Sequence, residues 1–250
     1  MIKLTKKTRQ AIIDHVIVQH AMAEPLHEAC GLIVMDGRKQ IYLECDNTAP
    51  NPHEAFEIDV LDYLTADNMG EVVAVVHSHP NGEPFLSSDD REHAAGSGVD
   101  WVLVVGSQCE IRQYRPVPRL RGRVFEYGRA DCSVLLLDAY HLAGIDLPDH
   151  PRTDMAADAA AGYLLAHAET AGFVQVFDEL QPGDVVLTTH RGLVSHAAIY
   201  IGNNELLHHA YEQLSRREPY GDYWRNQTHS VWRHPQWQPE MIQAILNDLE

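Results

Sequence analysis

Two histidines and an acid stand close together in the stretch Val75–Asp90, which reads VVHSHPNGEPFLSSDD. An apolar run, Val72–Val76, leads directly into His77 and His79, as expected of a buried strand that ends in polar side chains. Side chains at positions i and i+2 of a strand point to the same face, so the two imidazoles can converge on one atom.

The residues that follow predict a helix whose first turn carries the acid. Ser87 supplies a hydroxyl at the expected cap, and acidic residues fill the first turn up to Asp90. Ser87 and Asp90 are one helical turn apart and share a face. Two imidazoles and one carboxylate are the ligand set of a catalytic zinc that keeps its fourth position for water, so we expect His77, His79 and Asp90 to bind zinc.

A second set of reactive residues lies in the other half of the chain. Cys132 follows Asp131 at the start of a predicted helix, where the helix dipole is expected to lower the pKa of the thiol. A thiolate nucleophile needs a histidine within hydrogen-bond reach, and that histidine needs an orienting partner. His196, on a predicted strand, is the candidate base, and His208 is the candidate third residue.

The adjacent histidines His208 and His209 leave the third residue dependent on strand register. A three-residue loop, Gly202–Asn204, would place Ala198 opposite His208 and put that ring on the His196 side. A two- or four-residue loop would bring His209 there instead, because one step of register inverts the faces of a strand. We expect the three-residue loop and His208.

Composition limits the class of protein. The chain has 250 residues, 45% of them hydrophobic, with a mean hydropathy of −0.28, enough for two globular domains. No apolar run approaches the roughly 20 residues that span a bilayer. The basic N-terminus is followed by a polar stretch, so we expect no signal peptide. A net charge of −17 argues against binding to nucleic acid.

The four cysteines have no C-x-x-C spacing, so they do not indicate a cysteine zinc cluster. We expect reduced thiols, three of them packed as small apolar residues. The pattern of the first half predicts alternating helices and strands, with helices at 6–22, 60–69 and 87–95 and strands at 31–35, 40–45, 56–58, 72–76, 101–105 and 111–114.

The segment Arg112–Arg123 holds five arginines and two prolines. Proline and clustered like charge favour a solvated linker, which we place at 116–124, between domains at 1–115 and 125–250. The alternative is that the basic segment docks on an acidic surface of the chain or of a partner. In the second half we expect helices at 132–144 and 155–168, strands at 185–189, 194–201, 205–210 and 231–233, a polar loop at 215–220 and a terminal helix or tail at 238–250.

The pattern H-x-H-P-x6-S-x-x-D, which runs from His77 to Asp90, resembles that of the JAMM (JAB/MPN) metallopeptidases. That family also carries an upstream acid, for which this chain offers Glu28 in PLHEACGLIV. The resemblance implies a mixed α/β sandwich in which Glu28 transfers protons and Ser87 donates a hydrogen bond to the developing oxyanion.

The segments DCS, SHAAIYIGNN and LLHHA resemble those of the NlpC/P60 cysteine peptidases. The resemblance implies a papain-like domain with Cys132 as nucleophile, His196 as base and a polar third residue twelve positions further on, where His208 stands. The chain departs from the family pattern at two positions. Val134 replaces the usual glycine after DCS, and Phe125 replaces the usual upstream tyrosine, with a tyrosine two positions later.

The two motifs in one chain resemble the K-type tail tip assembly proteins of lambdoid, long-tailed bacteriophages, as does the stretch Ser215–Trp224. The resemblance implies synthesis in the host cytoplasm, other tail tip proteins as partners, and peptide stems of peptidoglycan as substrates of the cysteine site. The zinc site would act on a tail protein or a wall peptide. Two alternatives stay open: a structural tail-tip component with vestigial sites, and a JAMM isopeptidase for ubiquitin-like tags.

Overall fold

The computed structural model describes residues 1–22, 25–149, 152, 154–156 and 162–250. The chain divides into two compact units, Met1–Val117 and Pro118–Glu250. The division falls within the interval 116–124, where proline and arginine accumulate. Within the described ranges, every helix is too short or too polar to cross a lipid bilayer.

The first unit is built on a five-stranded sheet of order β2-β1-β3-β4-β5. Only the β3–β4 pair is parallel, and the other neighbours are antiparallel. β3 is central, which explains why its sequence is apolar without alternation: both of its faces are covered. The strands are β1 (Cys30–Asp36), β2 (Lys39–Cys45), β3 (Glu71–His79), β4 (Asp100–Val105) and β5 (Glu110–Tyr114).

Three helices complete the first unit: α1 (Lys6–Met22), α2 (Val60–Met69) and α3 (Ser88–Ser97). α1 buries Ile12 and Val16 in a core formed by the sheet. The predicted strand at 56–58 is wrong, since only Ile58 forms a bridge, with Asn47. The neighbouring Phe56 instead lies against the ring of His77.

The second unit contains a six-stranded antiparallel sheet of order β10-β9-β8-β7-β11-β6. Its central strands bury apolar side chains on both faces. The strands are β6 (Val174–Val176), β7 (Val185–His190), β8 (Leu193–Gly202), β9 (Glu205–His208), β10 (Arg216–Pro219) and β11 (Thr228–Arg233).

The helices of the second unit lie against this sheet and against one another. α4 (Cys132–Leu142) and α5 (Tyr163–Thr170) pack on β8, α6 (Asp222–Gln227) packs on β7, and α7 (Ile242–Leu249) packs on α4. The predicted helix at 155–168 is continuous only in part. Gly162 adopts a left-handed conformation, so a new helix begins after it, and residues 157–161 lie outside the described part of the chain.

The predicted polar loop at 215–220 is wrong, because Arg216–Pro219 forms the edge strand β10 and pairs with β9. The sequence Arg-Arg-Glu-Pro lacks the β-branched and aromatic residues that mark strands. Charged residues and proline are, however, what edge strands use to prevent further pairing.

The arginine-rich segment is not the solvated linker expected from its charge. Arg123 forms an ion pair with Asp138 at 2.6 Å, and both side chains are buried. Arg121 donates to the carbonyl of Leu249 at 2.9 Å. Within the second unit, a buried carboxylate and a backbone carbonyl therefore bind these two arginines.

The beginning and the end of the second unit are bonded to each other. The backbone N–H of Leu120 donates to the carboxylate of Asp248 at 2.6 Å, and the guanidinium of Arg119 donates to the Asp248 carbonyl. Leu120 and Asp248 are both almost completely buried.

Two candidate active sites

The end of β3 presents His77 and His79 to the first turn of α3, which carries Asp90. The two Nε2 atoms are 3.2 Å apart. Asp90 Oδ2 lies 3.3 Å from Nε2 of His77 and 3.2 Å from Nε2 of His79. The structure thus brings the three predicted metal ligands together as a nearly equilateral triangle of atoms.

Ser87 caps α3 and orients Asp90. Its hydroxyl accepts from the Asp90 N–H at 3.1 Å and donates to Asp90 Oδ2 at 2.7 Å, while its own N–H donates to the same oxygen at 2.8 Å. This capping box fixes the carboxylate beside the imidazoles. The hydroxyl that the sequence assigned to an oxyanion therefore contacts the ligand Asp90.

Neighbouring groups fix both imidazoles. Nδ1 of His79 lies 3.0 Å from the carbonyl oxygen of Glu83; a carbonyl only accepts, so Nδ1 carries the hydrogen and Nε2 is free to bind a metal. The His77 ring stacks on Phe56 at 4.6 Å and meets Trp101 edge-on at 5.5 Å. Sequence analysis missed these supporting residues, because they come from separate segments and belong to no short motif.

The protonation states of Asp90 and His77 suit a metal. Burial lowers the pKa of His79, but the hydrogen bond and charge of Asp90 outweigh it, so that pKa is raised while no metal is bound. Burial raises the pKa of Asp90, but His77 and His79 outweigh it and hold that pKa well below its usual range, so the carboxylate is ionised. Burial lowers the pKa of His77, which keeps its imidazole neutral. Ionised carboxylate and neutral imidazole are the forms that bind a metal ion.

The donor set and its dimensions fit zinc. Four ligands at about 2.0–2.1 Å from a tetrahedral ion are about 3.3 Å from one another. The three ligand atoms here are separated by 3.2–3.3 Å. Within the described residues, no other cluster of three such side chains comes as close.

Glu28 precedes β1 and is buried beside these ligands, with 7% of its surface exposed. Burial raises the pKa of its carboxyl group to about 7; His79 opposes this shift and the charge of Asp90 adds to it. A carboxyl group with a pKa near neutrality can both accept and release a proton during a reaction.

In the second unit, Cys132 is the first residue of α4, and Asp131 is its N-cap. One carboxylate oxygen of Asp131 accepts from the N–H groups of Ser133 and Val134 at 3.0 and 3.1 Å. Arg152 donates to both Asp131 oxygens at 2.6 Å. The cap thus holds the half-buried Cys132 at a fixed helix terminus.

Cys132 and His196 line one cavity of about 490 Å³. The thiol also meets the backbone amide of Ala197, so the start of α4 lies directly against β8. Phe125, Tyr127, Arg152 and other polar and aromatic side chains complete the walls. Such a concave site, with a few polar groups on an apolar surface, suits a peptide segment.

His196 is hydrogen-bonded to His208 and not to His209, the next residue in the sequence. Nε2 of His196 lies 3.3 Å from Nδ1 of His208, a ring with no exposed surface. His209 lines the cavity instead and packs edge-on against Phe125 at 5.4 Å.

The route to this register differs from the predicted one. The loop after Gly202 is a two-residue turn, Asn203–Asn204, with φ of 49° and 60°. A regular ladder from such a turn would have brought His209 to the His196 side. Ile201, however, lies where the register shifts, and this bulge restores the pairing of Ala198 with His208. The predicted three-residue loop is wrong, although the pairing derived from it is present.

The thiol of Cys132 is not the acidic group expected from its helix terminus. Burial raises its pKa, and the charge of Asp131 raises it further. Burial also lowers the pKa of His196 to about 3, reinforced by His208, His209 and Arg216. The resting site therefore holds a thiol and a neutral imidazole.

Comparison with known proteins identifies both units. The family model of the prokaryotic homologs of the JAB domain matches residues 11–117, and that of the NlpC/P60 family matches residues 122–233. The predicted α+β architecture, a JAMM-type domain followed by an NlpC/P60 domain, is confirmed.

Two relatives match most of the chain, and a third matches part of it. The tail tip assembly protein K of Escherichia phage lambda is 47% identical over 190 residues, which cover 75% of this chain and 94% of that protein. The protein of the same name from Escherichia phage N15 is 32% identical over 234 residues, covering 90% of this chain and 95% of the relative. A desampylase of Haloferax volcanii is 28% identical over 110 residues, or 41% of this chain and 78% of that protein.

Proposed function

The chain belongs to the tail tip assembly protein K family of bacteriophages, and we propose that its two units are a zinc peptidase and a cysteine endopeptidase. The observation that carries the proposal for the first unit is the triangle of His77, His79 and Asp90. For the second unit it is the shared cavity of Cys132 and His196.

In the first unit, His77, His79 and Asp90 would hold the metal. Zinc in such a set lowers the pKa of a bound water and polarises a carbonyl group. Glu28, with a pKa of about 7, would take a proton from the attacking water and give it to the leaving amine. Ser87 would turn its single hydroxyl hydrogen from Asp90 towards the oxyanion, where such a donor is worth roughly 3 kcal/mol.

In the second unit, the sulfur of Cys132 would attack the carbonyl carbon of an amide as His196 takes the thiol proton. His196 would then give that proton to the leaving amine, and water would hydrolyse the acyl-enzyme. His208 would hold the imidazole of His196 in place through their 3.3 Å contact. The neutral resting pair is consistent with general-base activation of the thiol during attack.

We infer that the second unit cleaves peptide stems of peptidoglycan, at bonds such as γ-D-glutamyl–diaminopimelate. The similarity of residues 122–233 to the NlpC/P60 family supports this substrate class. The first unit would cut a tail protein or a wall peptide. We further propose that the chain is made in the host cytoplasm and acts with other tail tip proteins, in keeping with the names of its relatives.

Digestion of purified muropeptides, read by mass spectrometry, tests the two assignments. The wild-type chain, a Cys132→Ala variant and a His77→Ala variant would be compared, with Cys109→Ala and His93→Ala as matched controls. We expect Cys132→Ala to abolish cleavage of the stem and both controls to retain it. Unchanged cleavage by Cys132→Ala would refute the cysteine assignment. In phage, infectious tails formed by Cys132→Ala and His77→Ala would indicate a structural role with vestigial sites.

A second candidate for the first unit is isopeptidase cleavage of ubiquitin-like tags. The similarity to the Haloferax volcanii desampylase is the observation that favours it. Incubation of the zinc-loaded chain with fusions to ubiquitin-like proteins tests this candidate. Cleavage that requires Glu28 would support it, and intact fusions under conditions that cleave a wall peptide or tail protein would exclude it.

A further inference from the structure

A carboxylate lies behind the two histidines of the cysteine site. Glu218, on the edge strand β10, places Oε2 3.0 Å from Nε2 of the buried His208. His208 in turn contacts His196 at 3.3 Å, and His196 shares the cavity with Cys132. Glu218, His208 and His196 thus form one chain of contacts from the edge of the sheet to the cavity.

The hydrogens along this chain of contacts can be assigned from the chemistry of its end. An ionised carboxylate only accepts, so Nε2 of His208 must carry a hydrogen. Nδ1 of His208 is then bare, and the Nε2 that faces it on His196 must be the donor. This leaves Nδ1 of His196 without a hydrogen, as required of the atom that takes the proton of Cys132.

We propose that Glu218 is a positioning residue of the cysteine site, which sets the tautomers of His208 and His196 so that a bare nitrogen is available for the thiol proton. This inference rests on the proposed peptidase function of the second unit. In the proton transfer, the S–H bond of Cys132 breaks and an N–H bond forms on His196. His208 stays neutral and Glu218 stays ionised, so no further proton needs to move.

The surroundings hold Glu218 in its acceptor role. Arg216 donates to Oε2 from two guanidinium nitrogens, at 3.0 and 2.7 Å. Burial raises the pKa of Glu218, but hydrogen bonds from Arg216 and His208 outweigh it and the pKa is lowered. Trp224 covers both imidazoles, with centroids 5.5 Å from His196 and 4.8 Å from His208, and so keeps the rings in register.

The charged and titratable groups that face His208 come from two strands and from the residue that follows β9. β8 contributes His196, His209 follows directly after β9, and β10 contributes Arg216 and Glu218. Glu218 is the negative group among them, and α6 contributes the uncharged indole of Trp224. When His196 becomes an imidazolium, Glu218 is therefore the group that stabilises the positive charge through His208.

The test compares Glu218→Gln and Glu218→Ala in the full chain. A glutamine carbonyl can still accept from His208, so Glu218→Gln should keep both tautomers and lose only the charge. Glu218→Ala should lose the acceptor, and His208 and His196 should then populate mixed tautomers in ring-¹⁵N NMR spectra. We expect kcat for the peptide stem to fall roughly tenfold in Glu218→Gln and towards a hundredfold in Glu218→Ala, with KM unchanged.

Glu205→Gln is the matched control, because Glu205 pairs with Arg217 across the same two strands at 2.5 Å and contacts neither histidine. It should leave the tautomers and kcat at wild-type values, and Glu218→Asp should restore part of kcat. Wild-type kcat or wild-type tautomers in a folded Glu218→Ala would overturn the inference. The tautomers need no substrate, so a wild-type chain that cleaves nothing would refute the peptidase function separately.

Discussion

The two sites of this chain are assembled in different ways. The candidate ligands His77, His79 and Asp90 come from one strand end and the helix that follows it, and they converge within 3.3 Å. The cysteine site needs a helix start, two central strands and an edge strand, from Cys132 to Glu218. Local chain geometry thus builds the first site, whereas strand register builds the second.

This difference has a consequence for robustness. The first site depends on a capping box and on the two-residue repeat of a central strand, both fixed by neighbours in sequence. The second depends on a bulge at Ile201. Without that bulge, a regular ladder from the two-residue turn would place His209, and not His208, on the His196 side. The first site should therefore be damaged mainly by substitutions of its candidate ligands. The second site should also be damaged by substitutions that change the backbone far from its reactive side chains.

The largest expected effect is on hydrolysis by the first unit. Glu28→Gln should keep stoichiometric zinc but lower kcat by roughly 10²–10⁴-fold, because the amide cannot transfer protons. Metal analysis and peptide cleavage on one sample give both readings. Glu71→Gln, at the exposed start of β3, is the control and should match the wild type. Full activity in Glu28→Gln would remove Glu28 from the chemistry.

The next effect is on the metal. Asp90→Ala should weaken zinc binding by roughly 10²–10³-fold, since four ligands share about 10–16 kcal/mol in structural sites. Competition with a chelator, followed by metal analysis, measures the loss. Asp89→Ala changes the adjacent, exposed acid of the same helical turn and should bind zinc normally. Equal affinities in the two variants would contradict the ligand set.

The cysteine site is sharpened by alkylation with iodoacetamide. Cys132 should react at least roughly tenfold faster than Cys30, Cys45 and Cys109, which are buried and label only when the first unit opens. Burial raises the pKa of each of these three thiols, that of Cys45 to about 12. Peptide mass mapping after brief labelling gives the order, and equal labelling of all four would argue against a distinct thiol.

The pH profile of the same reaction has a defined sign. The raised pKa of Cys132 means that thiolate accumulates only at high pH, so its alkylation rate should still be rising above pH of about 8.5. His196, with a pKa of about 3, should add no inflection between pH 5 and 8. A plateau reached below neutrality would instead show a preformed thiolate–imidazolium pair.

The smallest expected effect is on the stability of the second unit, through the turn that joins β8 and β9. Asn203 has a φ of 49°, which a β-branched side chain adopts only at a cost, so Asn203→Val should destabilise the second unit by about 1–2 kcal/mol. Asn203→Gly is the matched control and should be neutral or stabilising, because glycine accepts positive φ. Chemical denaturation measures both variants. Equal stability would mean that the turn does not constrain the hairpin.

What the sequence could predict follows the same division. The cluster of candidate metal ligands was predictable because a strand end and a capped helix have fixed periodicities, and the structure brings all three residues together. The pairing of His208 depended on a bulge that no residue type announces. Glu218 was missed because its strand is held by pairing with β9 and not by its own composition.

The arginine-rich segment gives a further lesson. Its charge predicted exposure to solvent, but Asp138 and the carbonyl of Leu249 receive the guanidinium groups of Arg123 and Arg121. The sequence shows that a segment is positively charged. It does not show which groups bind those charges, because the groups belong to residues far along the chain. The predicted fold classes did not depend on that pairing and were confirmed.

The hydrogen bond between Leu120 and Asp248 holds the two ends of the second unit next to each other. A domain whose two ends lie close together can be inserted into another protein or circularly permuted without distortion of its interior. The NlpC/P60 unit is in this sense suited to transfer between chains as a whole.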